Sequence, residues 1–400
     1  MQNNQKIPEG WSVKKLSEVS TFCGGSTPSR AHSEYFNGNI AWVKTTDLNN
    51  SILYKTEEKI TQLGLNNSSC KVVNKGAVCV AMYGGFNQIG RTCLLGVNAA
   101  INQALTAIIP NKELLNLYLL LYLNHNVKTW KLYAGSSRKD PNITKKDIED
   151  FKIIFPPLAE QEKIAGILGT WDEAIEKLSS LIEQKKNLKK GLMQKLLTGK
   201  TRLKGFTQPW KEVKLGEILF SISKRNKDLT IKRVLSVTNS RGFVLPEEQF
   251  ARSVASEDLS NYKIVKKGEF AYNPSRLNVG SIDRLDNFEN GVLSPMYVIF
   301  KCGDKINSDY MKHWIDTAEF NTKVRNSAQG SVRETVDFKT LSTIKICLPS
   351  DINEQQAIAD VLSTADEEIN LLNQKLEALK EQKKGLMQQL LTGQIRVKVN

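Results

Sequence analysis

The chain has 400 residues, enough for two or three domains with cores of their own. Its 40% hydrophobic and 24% charged residues are those of a folded soluble protein, not of a disordered or fibrous chain. Fifty-six Lys and Arg against forty-two Asp and Glu leave a net charge of +14, which points to a polyanionic partner, nucleic acid first.

No apolar run reaches the ~18 residues of a membrane span, Leu114–Leu123 being the longest. Met1–Lys6 is polar with no apolar stretch behind it, so no signal peptide is expected. The six cysteines include no C-x-x-C pair and read as reduced thiols of a cytoplasmic protein. The three histidines have no metal-ligand spacing, so no metal site is expected.

The first segment opens with Trp11, Leu16, Glu18 and Val19, an entry strand and turn with the tryptophan packed in the core. Phe22–Gly38 is a Gly/Ser/Pro-rich surface loop carrying Arg30. A short strand, Ile40–Val43, leads into Lys44-Thr45-Thr46-Asp47. Val72–Tyr83 alternates around Gly76 as a hairpin would. It runs into Gly84-Gly85-Phe86-Asn87-Gln88-Ile89-Gly90-Arg91. Amides pair with adenine edges and Arg with guanine, so this loop suits base reading; Gly/Asn turns are equally ordinary hairpin chemistry. Leu114–Leu132 reads as one helix, followed by the basic loop holding Arg138 and Lys139, then a helical turn and strand to Phe155.

Glu160–Thr198 reads as a long helix. Ile164, Leu168, Trp171, Ile175, Leu178, Ile182, Lys185, Lys189, Leu192 and Leu196 step by four and three, a heptad seam. Thirty-nine residues at ~1.5 Å each make a rod of about 58 Å, too long to bury its stripe on one small domain. It needs a second long helix. Lys185–Lys204 holds eight basic residues and no acidic one, which fits the helix dipole, a solvated face or a face toward phosphate. Gly199-Lys200-Thr201 resembles the end of a phosphate-binding loop, but Gln194 stands where that motif needs glycine.

Everything then recurs. Trp210, Leu215, Glu217 and Ile218 repeat the opening. Arg233–Gly242, with Asn239 and Arg241, takes the place of Trp42–Leu48. Ala271–Gly280, with Arg276 and Asn278, takes the place of Ala81–Gly90, and Arg333 that of Arg138. Asn273-Pro274-Ser275-Arg276 lacks the second proline and the aromatic of an adenine-methyltransferase motif, and no G-x-G-x-x-G follows a strand. The second helix, with Asn353 as expected N-cap, carries the seam Ile358, Leu362, Ala365, Ile369, Leu372, Leu376, Leu379, Lys383, Leu386 and Leu390. Lys189-Lys190-Gly191-Leu192-Met193-Gln194 returns as Lys383-Lys384-Gly385-Leu386-Met387-Gln388, 194 positions on.

The expected fold class is α+β. Two similar globular segments, 1–155 and 201–348, alternate with spacer helices, 156–200 and 349–400, that pair as an antiparallel coiled coil in a pseudo-two-fold, cyclically repeated architecture. Framework that repeats while loops diverge suits two readers of different targets, and simple drift would also produce it. Half-sites one helical turn apart need about 34 Å between centres, a distance such a rod can set.

With the Glu160-Gln161-x-x-Ile164-Ala165 entry echoed by Glu354-Gln355-x-x-Ile358-Ala359, and the two matching Leu-Leu-Thr-Gly endings, the chain resembles the specificity subunit of a type I restriction–modification system over essentially its whole length. The resemblance implies two target recognition domains, each reading one part of a bipartite site in double-stranded DNA. It implies helices that set spacing and dock two modification subunits, with restriction subunits joining through those. S-adenosylmethionine, ATP and magnesium are then expected on partner subunits, with no cofactor and no catalysis in this chain. The candidate base readers are Arg30, Thr46, Asn87, Gln88, Arg91, Arg138 and Lys139 in the first segment, and Asn239, Arg241, Arg276, Asn278 and Arg333 in the second. A coiled-coil scaffold without base reading explains the helices but not the charge or the diverged loops. A self-sufficient methyltransferase lacks its cofactor motif.

Overall fold

The computed structural model describes residues 7–135, 142–246, 258–328 and 335–399. The chain forms two compact units, Met1–Ser179 with Lys375–Asn400, and Ser180–Gln374. Each unit therefore combines one globular segment with part of both long helices. No helix among the described residues is long and apolar enough to cross a membrane.

In unit 1 a five-stranded sheet has the order Ser20–Gly24, Leu105–Pro110, Val78–Ala81, Thr92–Leu95, Ile52–Leu53. All neighbours are antiparallel except the last pair. Successive side chains on a strand face opposite ways, and here both faces are covered. Val78 and Val80 join the core that includes Tyr118 and Trp130, while Cys79 and Ala81 join a second core with Val43 and Leu105. A four-stranded sheet, ordered Glu58–Ile60, Phe36–Val43, Ala99–Ile101, Val72–Val73, stands beside it. The expected Val72–Tyr83 hairpin does not form, because Val72–Val73 pairs with Ala99–Ile101 while Val78–Ala81 lies in the other sheet. The expected single helix over Leu114–Leu132 is two, Asn116–His125 and Val127–Gly135, broken where the Asn126 amide donates to the Tyr122 carbonyl.

Unit 2 repeats the sheet with different residues. Leu219–Ile222, Val298–Cys302, Phe270–Tyr272 and Ile282–Arg284 follow the same order, with no fifth strand among the described residues. Phe270 and Tyr272 face one core and Ala271 the other. Ser12–Lys15 pairs with Lys152–Phe155 in unit 1, and Trp210–Lys214 with Lys345–Pro349 in unit 2.

The long helices run Leu158–Leu196 and Ile352–Leu391. Every residue of both expected seams is buried or half-buried. Within each unit the helices are antiparallel. In unit 2, Lys189 Nζ lies 2.6 Å from both carboxylate oxygens of Asp366, and Lys185 Nζ 2.6 Å from Glu368. In unit 1, Lys383 pairs with Asp172, the same contact with the copies exchanged.

The repeated Glu-Gln entry fastens each helix to its own globular segment. Gln161 accepts the Leu115 N–H at 2.8 Å and donates to the Glu113 and Pro156 carbonyls. Gln355 accepts the Asn307 N–H at 2.8 Å and donates to the Lys305 and Pro349 carbonyls. Both glutamines are fully buried, so these bonds replace the solvation that burial removes. At the far ends, Gly199 and Gly393 adopt φ of 69° and 70°, the left-handed cap that favours glycine. Gly199-Lys200-Thr201 is thus a helix stop. The second helix begins one residue before Asn353, and Asp351 caps it by accepting the Asn353 N–H at 2.9 Å.

Candidate nucleic-acid interface

In unit 1 the loop between strands Val78–Ala81 and Thr92–Leu95 gathers several of the predicted readers. Gly84 and Gly85 have φ of 117° and 96°, backbone that an L side chain rarely adopts. A Cβ on Gly90 would meet Trp130 at 2.9 Å, so the loop lies flat on the Val127–Gly135 helix. Arg91 donates to Gln88 Oε1 at 2.9 Å and to the Leu48 carbonyl, tying the loop to the turn that carries Thr46. Thr46 and Asn87 are left exposed, with no side-chain hydrogen bond among the described residues. Phe86 is 50% exposed beside them, and Lys131 Nζ sits 4.8 Å above its ring.

Arg30 is placed differently. It pairs with Glu58 at 2.7 Å and stacks on Phe36 and Trp42, 4.4 and 5.1 Å from their ring centres. Lys44 also binds Glu58, at 2.6 Å, and the two cations, Arg30 first, hold the Glu58 carboxyl below its usual range. Arg91 and Gln88 are likewise engaged within the loop cluster. Arg138 and Lys139 lie outside the described residues, as does Arg333.

Unit 2 builds a cluster at the same place on its sheet. The loop between Phe270–Tyr272 and Ile282–Arg284 is anchored by Ser281 Oγ donating to the Val237 carbonyl at 2.7 Å and by the Val336 N–H donating to Pro274 at 3.1 Å. It brings Asn278 to the turn that carries Asn239. Both line a cavity of about 290 Å³ with Asp316, Asn321 and Arg325, floored by Ile282 and Ile315. Asn321 Nδ2 donates to the Thr317 carbonyl at 3.1 Å, leaving its oxygen to accept. Arg325 has no ion pair among the described residues. Arg276 is exposed on the same loop, and Arg241 is exposed on the Thr238–Gly242 turn, its N–H held by Thr238 Oγ1 at 3.0 Å.

The aromatic of the Gly84–Arg91 turn, Phe86, was legible in the sequence but not among the candidate readers, while Lys131, Asn321 and Arg325 were not singled out at all. Asn321 and Arg325 do stand one helical turn apart on Ala318–Ala328, a spacing that puts two polar groups on one face. Each cluster offers amides and a cation on loops carried by a sheet, the kind of chemistry that can read base edges. No cluster of His, Cys, Asp and Glu suited to a metal ion occurs among the described residues.

Known proteins share this organisation. The family described as Type I restriction modification DNA specificity domain matches residues 8–187 and 296–381. The type I restriction enzyme MjaVIII specificity subunit of Methanocaldococcus jannaschii is 25% identical over 98% of this chain and 95% of its own length. The MjaIX specificity subunit of the same organism is 31% identical over 178 residues, 43% of this chain and 40% of its own. Among solved structures, the type I restriction–modification S subunit from M. genitalium has the same fold, with a TM-score of 0.61 at 16% identity and 98% of both chains covered. The chain belongs to the type I restriction–modification DNA specificity family.

Proposed function

We propose that each unit reads one part of a bipartite DNA site through its loop cluster, and that the chain supplies the address while partner subunits supply the chemistry. The observation that carries this reading is the recurrence of one sheet with two chemically different loop clusters at the same strand connection. Unit 1 offers Thr46 and Asn87 beside an exposed Phe86; unit 2 offers Asn239, Asn278, Asn321 and Arg325 around a cavity. Equal scaffolds with unequal loops are what an asymmetric two-part word requires.

The long helices set the spacing between the two words and dock two modification subunits in the cytoplasm. Restriction subunits join through these, and S-adenosylmethionine, ATP and magnesium act there. The net charge of +14 favours phosphate contacts, so DNA affinity falls steeply with salt.

Methylome sequencing of cells carrying the complete system tests the reading. The expected result is a methylated word in two fixed parts around an unspecified spacer. Exchanging the loop 84–91 should alter one part only, and exchanging 273–280 the other. Loss of both parts together, or a single continuous word, would refute it. A pure scaffold would leave the complex unable to bind duplex DNA at all.

A further inference from the structure

We infer that unit 2 grips the DNA backbone in a lysine-lined cleft beside its reading pocket, and that unit 1 does not share this grip; this rests on the DNA-reading role proposed above. The cleft lies between the C-terminal end of the first long helix and the corner that joins helices Ser308–Ile315 and Ala318–Ala328. It encloses about 590 Å³ and is lined by Lys190, Lys195 and Lys200.

The eight basic residues of Lys185–Lys204 divide by partner, with Lys204 unpaired among the described residues and outside the cleft. Lys185, Lys186, Lys189 and Arg202 are neutralised by Glu368, Glu183, Asp366 and Glu354. Lys190, Lys195 and Lys200 have no acidic partner among the described residues, and these three share the cleft. Of the two carboxylates on its walls, Glu319 is taken by Lys323 at 2.6 Å. The other, Asp316, stands on the wall common to the cleft and the amide-lined pocket. A carboxylate there accepts from a base amino group and repels phosphate, which divides the surface into a base side and a backbone side. Three unpaired ammonium groups next to a base-reading pocket match a phosphodiester strand.

The repeat shows the feature to be one-sided. Lys195 and Lys200 correspond to Gln389 and Gln394, and Lys190 to Lys384, which Glu381 neutralises at 3.0 Å. The same helix end without the free lysines exists in the same protein.

The test uses the chain assembled with its modification subunits and a duplex carrying the methylated word, titrated by fluorescence anisotropy across a salt series. Replacing Lys190, Lys195 and Lys200 together by Gln should reduce the steepness of log affinity against log salt by about 2 to 3, at roughly 0.9 per phosphate contact. The methylated word should stay the same, and replacement by Arg should restore the slope. Lys384→Gln should leave the slope unchanged. An unaltered slope in the triple Gln variant, with normal duplex binding, overturns this inference alone. So does loss of the modification subunits from the triple variant at that unaltered slope, which would make the cleft a protein-docking surface. Failure of the unsubstituted complex to bind duplex overturns the DNA-reading role and this inference with it.

Discussion

Arg202 forks onto Glu354 through two hydrogen bonds of 2.9 and 2.6 Å, joining the residue just past the first long helix to the first turn of the second. Arg396 binds Glu160 in the same way, at 2.8 Å twice. Each fork closes its own unit, and each takes one partner from either copy of the repeat. That exchange is why Glu-Gln at the helix start and Arg after the Thr-Gly ending recur together. The glutamine holds the helix to its globular segment, and the glutamate holds the incoming chain from the other copy.

The fork predicts unequal costs for its two halves. The Glu354 side chain is fully buried, whereas that of Arg202 is 29% exposed. Arg202→Ala leaves a buried carboxylate whose one remaining side-chain donor among the described residues is the Trp210 indole N–H, 3.3 Å away. The expected loss is about 3–5 kcal/mol. Glu354→Ala frees an arginine that can reach water, so about 1–3 kcal/mol is expected. Urea unfolding of the two variants side by side decides the matter; equal losses would show that burial of the carboxylate is not what sets the cost.

Among the candidate readers, exposed and engaged residues should behave differently. Asn87→Ala removes an unpartnered amide and should relax a single base position by about 1–3 kcal/mol. Arg91→Ala releases the Leu48 carbonyl and Gln88, so it should loosen the loop and weaken every sequence alike. Methylation assays on a panel of single-base variants of the word separate the two. A uniform loss for Asn87→Ala would remove it from the readers.

The seam was legible in the sequence because spacing by three and four is a local property of each helix. What sits opposite each seam residue was not. Lys185 and Lys189 interrupt the apolar stripe, and only folding shows that Glu368 and Asp366 answer them. Sheet membership was harder still. Val72–Val73 and Val78–Ala81 look like two arms of a hairpin, yet they serve different sheets, since pairing with Ala99–Ile101 is set by chain far away in sequence. At the candidate site, loop chemistry pointed to Asn87 and Asn278. Lys131, Asn321 and Arg325 depend on which helix packs under which loop, and no local pattern carries that.

His313 makes unit 2 sensitive to acid, and in unit 1 burial likewise pushes the His125 imidazole down. His313 is buried against the second long helix, with Nε2 3.0 Å from Ser363 Oγ. Burial, and next the nearby Lys189, push its imidazole down to about 4, with Lys312 acting the same way and Asp366 and Asp309 opposing. Because the unfolded chain takes up the proton near 6.5 and the folded chain near 4, stability is complete above about 6.5 and declines as pH falls toward 4. The loss is about 3 kcal/mol at most. Leu121 stands at the corresponding position in unit 1, six residues after Leu115 as His313 is after Asn307. His313→Leu should therefore flatten the denaturation midpoint between pH 6.5 and 4, and an unflattened profile would assign the acid sensitivity to carboxylates instead.

The proposed spacing role calls for an insertion that lengthens the helices and spares every contact within a unit. An insertion of four residues near Thr198 would displace Arg202 from Glu354 and Gly199 from its place against Trp210, mixing a change of length with a loss of stability. The division between the units offers a cleaner place, after Ser179 in the first helix and after Gln374 in the second. Four residues at each point lengthen both helices by about 6 Å, a little over one turn. The Lys189–Asp366 and Lys383–Asp172 pairs keep their partners, because each lies wholly within one unit. At 3.4 Å per base pair, the gap in the methylated word should grow by about one or two positions while both parts of the word stay as they were. Methylome sequencing of the double insertion reads both quantities at once. A word with changed parts and an unchanged gap would mean that the loops, and not the helices, determine the spacing.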